Sequence, residues 1–284
     1  MPFVEKDNMF ITVPVSYRDY VEHREIKGPI FENYMMLLED TPNKLNLKVE
    51  NENLFFENSP RSYISSIFRW PDNIKEPEYL ICCYKTYQMH STSTALYIKK
   101  ALSLKSPQAF SISDLGSLSP IIALEWARIN KADALLVCLE QIYNMEISKS
   151  ADGFPLADGA SVIAIRSEGD FRILSYEQIW IKESKTHGVQ ETYNLIENHL
   201  SYMGIMPEEI MIIPQALSEI YQTGIKEKFP NVFTRKDKRN LSTADPFYSL
   251  EDICITNFKK KSYYALTFIE QSKVGVIILK KTGG

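Results

Sequence analysis

Residues 108–120 read "QAFSISDLGSLSP", an apolar strand-like run, a tight turn, and small hydroxylated residues that open a helix with Pro120 in its first turn. A nucleophile mounted at such a turn is favoured, because the unpaired N–H groups and dipole at a helix start stabilise negative charge. The residue at the turn is Gly116, which has no side chain to acylate. Ser117 follows it and is the alternative nucleophile, but a serine needs a base, and none of His23, His90, His187 and His199 stands in a motif that would supply one. The plainer role for Ser117 is to cap the following helix with Ser113, Asp114 and Ser119. Asp158 reads as a loop-holding side chain, and Gly153 and Gly159 meet backbone geometry rather than a phosphate, since they form neither a P-loop nor a G-x-G-x-x-G turn. His199, on an amphipathic stretch, reads as a surface or boundary residue.

The rest of the composition narrows the chemistry. A formal net charge of -4 offers no general attraction for phosphate backbones, and Lys259-Lys260-Lys261 reads as a solvated turn, so nucleic acid is not expected as a partner. The N-terminus "MPFVEKDNMF" mixes acid and base without a long apolar run, and no stretch approaches a spanning helix, so neither a leader nor a membrane anchor is expected. Cys82, Cys83, Cys138 and Cys254 each lie in apolar surroundings, which suits reduced thiols in the cytoplasm better than disulfides. Cysteine and histidine show no ligand spacing, so no metal and no cofactor is expected.

The elements that must hold the turn are legible from residue 78 onward. "EYLICCYKT" and "ADALLVCLE" are continuous apolar runs suited to strands buried on both faces, "STSTALYIKKALSL" is a helix capped by serine and threonine, and "SVIAIRSE" is a further strand. The second half repeats the order. "FRILSYEQIWI" is a strand, Val189 to Met203 a helix ending at Gly204, "EEIMIIP" a strand, Ala216 to Phe229 a helix, "EDICITNF" a buried strand, and "SYYALTFIE" with "KVGVIILKK" a terminal hairpin. Upstream, Met9 to Val15 reads as a strand, Pro29 to Asp40 as a helix and Leu45 to Glu57 as strand-like pieces. Strands alternating with helices demand an α/β fold with a mostly parallel, doubly covered sheet, and the repetition suggests an internal duplication. The expected units are residues 1–168 and 169–284, without a flexible linker, so that they form one compact body.

Three runs carry a resemblance to a known family. "STSTALYIKKALSLKSPQAFSIS", "GFPLADGASVIAI" and "IENHLSYMGIMPEEIMIIPQA" resemble, in order and separation, segments of the thiolase fold and within it the β-ketoacyl-ACP synthase III type of condensing enzyme. The resemblance implies two repeated β-α-β-α-β-β halves forming a five-layered α-β-α-β-α core. It also implies a Cys-His-Asn set: a cysteine that takes an acyl group from acyl-CoA or acyl carrier protein, and a histidine and asparagine that polarise the second substrate. Here the cysteine position falls on Gly116, and the histidine position on Pro214 or, one residue on, Gln215. Asn240 in "RNLSTA" is a possible remnant of the asparagine, although the stretch from there to Phe258 looks too short for the family's next helix. The family's glycine-rich loop is read as "FKKKS" and contains no glycine.

What the resemblance implies is a pseudoenzyme. The likeness is greatest to the inactive subunit of the heterodimeric condensing enzyme that makes 2-alkyl-4-quinolones, which also lacks the cysteine and has a run similar to "SADGFPLADGA". The expectation is a non-catalytic subunit paired with an active Cys-His-Asn paralogue, as a heterodimer or heterotetramer, in secondary-metabolite biosynthesis, the partner handling the acyl-CoA or acyl-ACP. The fold pairs subunits through a strand that continues the sheet, and the segment 85–95, with Tyr87, Met89, His90 and Ser91, is expected at that interface. A stand-alone acyltransferase or thioesterase using Ser117, or a homodimeric acyl-binding scaffold, are the alternatives.

Overall fold

Along the central strands alternate side chains enter different apolar clusters, as the two-residue period of a strand requires when both faces are covered. The computed structural model describes residues 8–18, 76–85, 93–113, 115–140, 154, 157, 159–181, 188–256, 258, 260–270 and 272–283. Within these the strands are β1 (Phe10–Ile11), β2 (Val15–Arg18), β3 (Tyr79–Cys83), β4 (Gln108–Ile112), β5 (Ala134–Glu140), β6 (Gly159–Arg166), β7 (Phe171–Trp180), β8 (Ile210–Pro214), β9 (Tyr263–Glu270) and β10 (Lys273–Lys281). The helices are α1 (Thr94–Ala101), α2 (Ser119–Asn130), α3 (Val189–Met203), α4 (Glu219–Lys228) and α5 (Asp245–Thr256). The sheet order is β4-β3-β5-β6-β1-β7-β10-β9-β8, with β2 paired to β6. Pairing of β3 with β4 and β5, and of β8 with β9, is parallel, while β1–β6, β1–β7, β2–β6, β5–β6, β7–β10 and β9–β10 are antiparallel, so the sheet is mixed and not mostly parallel as expected.

The clusters define the layers. Leu80 and Cys82 of β3 join Ala95 and Ile98 of α1 in an outer cluster. Their neighbours Ile81 and Cys83 point the other way, into a central cluster with Leu124 of α2, Phe247 and Leu250 of α5, and Leu266 of β9. Ile212 of β8 and Val276 of β10 enter a third cluster, on the far side of the second half, with Ile196 of α3 and Tyr221 of α4. The order is therefore α1, sheet, α2 with α5, sheet, α3 with α4, a thiolase-like layering. At the middle, Gly275 of β10 lets α2 lie close, since a Cβ there would overlap Ile121 Cδ1.

Several expectations are corrected. The run read as the strand "EDICITNF" supplies instead the end of α5, through Thr256: Phe247, Leu250 and Ile253 are buried at helical spacing, whereas Ile255 is 69% exposed. The helix expected from Ala216 begins at Glu219, because Ser218 caps it by accepting from Tyr221 N–H at 3.1 Å. The expected cap of α1 is not made by a side chain, and Ser93 instead meets Ser111, Oγ to Oγ, at 3.3 Å. The strand expected over Met9 to Val15 is two short pieces, β1 and β2, with Pro14 between them. The pieces expected at residues 29–40 and 45–57 lie outside the described residues.

His199 is not a surface residue. It is 2% exposed on α3, with Nε2 3.1 Å from Glu177 Oε2, and burial holds its imidazole below the ordinary histidine range against the attraction of that carboxylate. Because the unfolded chain titrates this group near about 6.5, it binds the extra proton first as the pH falls. Stability should therefore be lost as pH drops below about 6.5, with this one group adding at most about 1.4 kcal/mol per pH unit. Urea unfolding of wild type and His199→Gln between pH 7.5 and 5 should show the slope reduced in the variant.

Candidate functional site

The N-terminal end of α2, the end of β8, the turn before α5 and the end of β9 converge on one point. Gly116 takes φ +52°, a left-handed conformation suited to glycine, and opens a 3-10 turn (Gly116–Leu118) that runs into α2. Ser117 does not cap that helix, which has no side-chain cap. Its Oγ instead donates to Glu270 Oε2 at 3.0 Å, and its N–H donates to the same oxygen at 3.0 Å.

Glu270, at the end of β9, is the site residue that sequence reasoning missed. A Cβ built on Gly116 would stand 2.5 Å from Glu270 Oε2 and 2.6 Å from its Cδ, so the carboxyl group occupies the space a side chain at residue 116 would need. Its other oxygen, Oε1, pairs with Lys85 Nζ at 2.9 Å. The last two strands, β9 and β10, are joined through residues 271–272, not through "FKKKS", which lies between α5 and β9; the joining residues, Gln and Ser, also lack glycine.

Of the two candidates for the histidine position, Gln215 and not Pro214 presents its side chain to the site. Its Oε1 accepts from Ile269 N–H at 2.8 Å, which fixes the amide's orientation, because a backbone N–H can meet only the oxygen. Its Nε2 then donates to Asn240 Oδ1 at 3.0 Å and to Ser117 Oγ at 3.2 Å. Asn240 Oδ1 also accepts from Ser242 N–H at 2.8 Å, and Ser242 Oγ lies 3.2 Å from Ser117 Oγ. The space from Asn240 to Phe258 does hold a helix, α5, so Asn240 takes its place in the site.

Lys85, Glu270, Ser117, Gln215, Asn240 and Ser242 thus form one hydrogen-bonded circuit containing neither thiol nor imidazole. Ser117, 1% exposed, donates its one proton to Glu270 and has both lone pairs engaged by Gln215 and Ser242. Attack by this oxygen would need its proton passed to Glu270 or one of the two accepted hydrogen bonds broken. Gln215 has spent both amide hydrogens and its oxygen, and an amide does not exchange protons near neutrality.

The backbone around the circuit is tied by two further side chains. Asp245 accepts from Ala216 N–H at 2.9 Å, Leu241 N–H at 2.8 Å and Arg235 Nη2 at 2.5 Å, and so joins the Gln215 and Asn240 segments. Thr243 Oγ1 lies 3.0 Å from the carbonyl oxygens of both Cys83 and Leu139, pinning the turn before α5 to the ends of β3 and β5. The expected interface residues Tyr87, Met89, His90 and Ser91, and Asp114, Gly153 and Asp158, lie outside the described residues. Among the described residues no cluster of metal-ligating side chains occurs, and no helix is long and apolar enough to cross a membrane.

No family model and no curated protein matches this chain by sequence. Solved structures match it by fold over nearly its whole length. The acyltransferase ChlB3 has a TM-score of 0.72 at 12% identity, covering 96% of this chain and 97% of its own. 3-Oxoacyl-(acyl carrier protein) synthase III (FabH) from Pseudomonas aeruginosa reaches 0.71 at 12% identity, covering 97% and 98%. OleA from Xanthomonas campestris reaches 0.68 at 16% identity, covering 99% and 100%. The fold is thiolase-like, of the kind seen in FabH, OleA and ChlB3.

Proposed function

We propose that this chain is a non-catalytic, β-ketoacyl synthase III-like subunit that pairs with an active Cys-His-Asn paralogue, in the cytoplasm, in the biosynthesis of a secondary metabolite from an acyl-CoA or acyl-ACP. The observation that carries this reading is the Glu270 carboxylate standing where a nucleophile at residue 116 would stand, with the neutral Gln215 beside it. One site change could be a relocation; a filled nucleophile space and a saturated amide are an abandonment.

The two sheet edges support pairing. β8 is covered, with Ile212 N–H donating to Asn231 O and Phe233 N–H to Ile212 O, both at 2.9 Å. β4 is the opposite edge, and among the described residues no strand pairs with its outer side, while Leu96 and Tyr97 of the adjacent α1 are 47% and 42% exposed. A sheet edge beside exposed apolar side chains is a liability unless it is covered, and a partner subunit is the cover proposed.

Co-expression with a paralogue that retains the cysteine tests the proposal. A stable one-to-one or two-to-two complex is expected, with condensing activity at least tenfold above that of the paralogue alone. A chain that purifies as a stable homodimer, beside a paralogue fully active without it, would overturn the reading. The Glu270–Ser117 contact also offers a second reading, a stand-alone acyltransferase or thioesterase with Glu270 as base. An acyl-CoA-dependent mass increase that disappears in Ser117→Ala would establish it.

A further inference from the structure

We infer that Glu270 is an autoinhibitory occupant, held in cis, of a carboxylate-receiving pocket that persists at the N-terminal end of α2. The donors that hold its carboxylate come from separate parts of the chain. They are Ser117 N–H, Ser117 Oγ–H and Lys85 Nζ, at 3.0, 3.0 and 2.9 Å.

The Ser117 donors are held independently of Glu270, and so is the backbone that carries Lys85. Ser117 is fixed by Gln215 and Ser242 and by its place in the turn that leads into α2. Lys85 stands two residues beyond the end of β3, whose register with β4 and β5 is set by the sheet. Gln215 is oriented by Ile269 N–H, a backbone group that side-chain truncation at residue 270 leaves in place. Taking away the Glu270 side chain therefore leaves the two Ser117 donors facing a carboxylate-sized space, with the Lys85 ammonium within reach of it.

That space communicates with solvent on the Lys85 side, where Lys85 is 38% and Glu270 13% exposed. The ligand class is a short monocarboxylate, because one oxygen meets the two Ser117 donors and the other meets the ammonium group. With Glu270 present, a free carboxylate must displace an identical group whose effective concentration is set by its own covalent link. The native pocket is thereby closed to acyl carboxylates, whether or not the chain pairs with a paralogue.

Thermal unfolding of wild type and Glu270→Ala in sodium acetate, with sodium chloride at equal ionic strength as control, tests the inference. Acetate supplies the atoms the truncation removes. The variant should melt roughly 5 °C lower and recover most of that loss saturably in acetate but not in chloride, while wild type stays unchanged. Adding Lys85→Met should raise the half-saturating acetate concentration at least tenfold. Equal acetate responses in wild type and Glu270→Ala, or none in the variant, would overturn the inference. If Glu270→Ala does not accumulate in folded form, its refolding yield becomes the measure: a several-fold rise in acetate supports the inference, and equal yields with and without acetate refute it.

Discussion

Gly116→Cys alone should give a destabilised protein that acyl-CoA does not label, whereas Gly116→Cys combined with Glu270→Gly should take up an acyl group at least ten times faster. In the single variant the new Cβ would meet the Glu270 carboxyl at 2.5–2.8 Å. The carboxylate must then leave Ser117 and Lys85, and the cysteine must also hold φ +52°. A left-handed non-glycine residue costs about 1–2 kcal/mol and loss of the charge-assisted hydrogen bonds from Ser117 about 1.5–3 kcal/mol, while the Lys85 pair, its ammonium 38% exposed, adds at most about 1 kcal/mol, so a loss of a few kcal/mol is expected. In the double variant the space is free, and the thiol stands at a helix start with Lys85 Nζ nearby and no longer paired to Glu270, which favours the thiolate. The thiolate attacks the thioester carbonyl, the carbon–sulfur bond to CoA breaks, and CoA leaves as its thiolate. Background labelling should be low, since Cys82, Cys83 and Cys138 are buried, burial raises the Cys82 and Cys83 thiols well above their ordinary range, and it also raises the half-buried Cys254. Intact-mass analysis decides the matter: equal labelling of the two variants would show that Glu270 is not the obstruction.

The layered fold was legible because its strands are continuous apolar runs and its helices end in recognisable ways, as α3 does at Gly204. The stretch 251–258 misled because Ile253 and Ile255 are two apart, like strand residues. The decisive signal lay upstream, in Asp245 and Pro246 opening a helix whose buried side chains recur at Phe247, Leu250 and Ile253. Gly116, Ser117 and Asn240 could be named because each sits in a local motif, and Gln215 could be named only as one of two registers. What separates it from Pro214 is the hydrogen bond to Ile269 N–H, a group 54 residues away. Glu270 carried no local signal. It meets Ser117 across 153 residues, and nothing in "TFIEQSK" distinguishes an inward glutamate from the solvated end of a hairpin.

The second large effect is expected at Asp245, which touches no group of the circuit directly but holds the two segments that supply Gln215 and Asn240. Its side chain is fully buried, and that of Arg235 is 3% exposed. Asp245→Asn keeps the volume but replaces one acceptor oxygen with a donor, facing either Ala216 N–H or the pair formed by Leu241 N–H and Arg235 Nη2. The variant should lose about 3–5 kcal/mol in urea unfolding, because the guanidinium is left buried without its counter-charge. Arg235→Met should be costly for the mirror reason. The double variant Arg235→Met/Asp245→Asn should lose clearly less than the sum of the singles, since two buried charges are removed together and what remains to be compensated is the two backbone N–H contacts and the Arg239 carbonyl that Arg235 Nη2 served. Strict additivity would mean that the pair is not coupled.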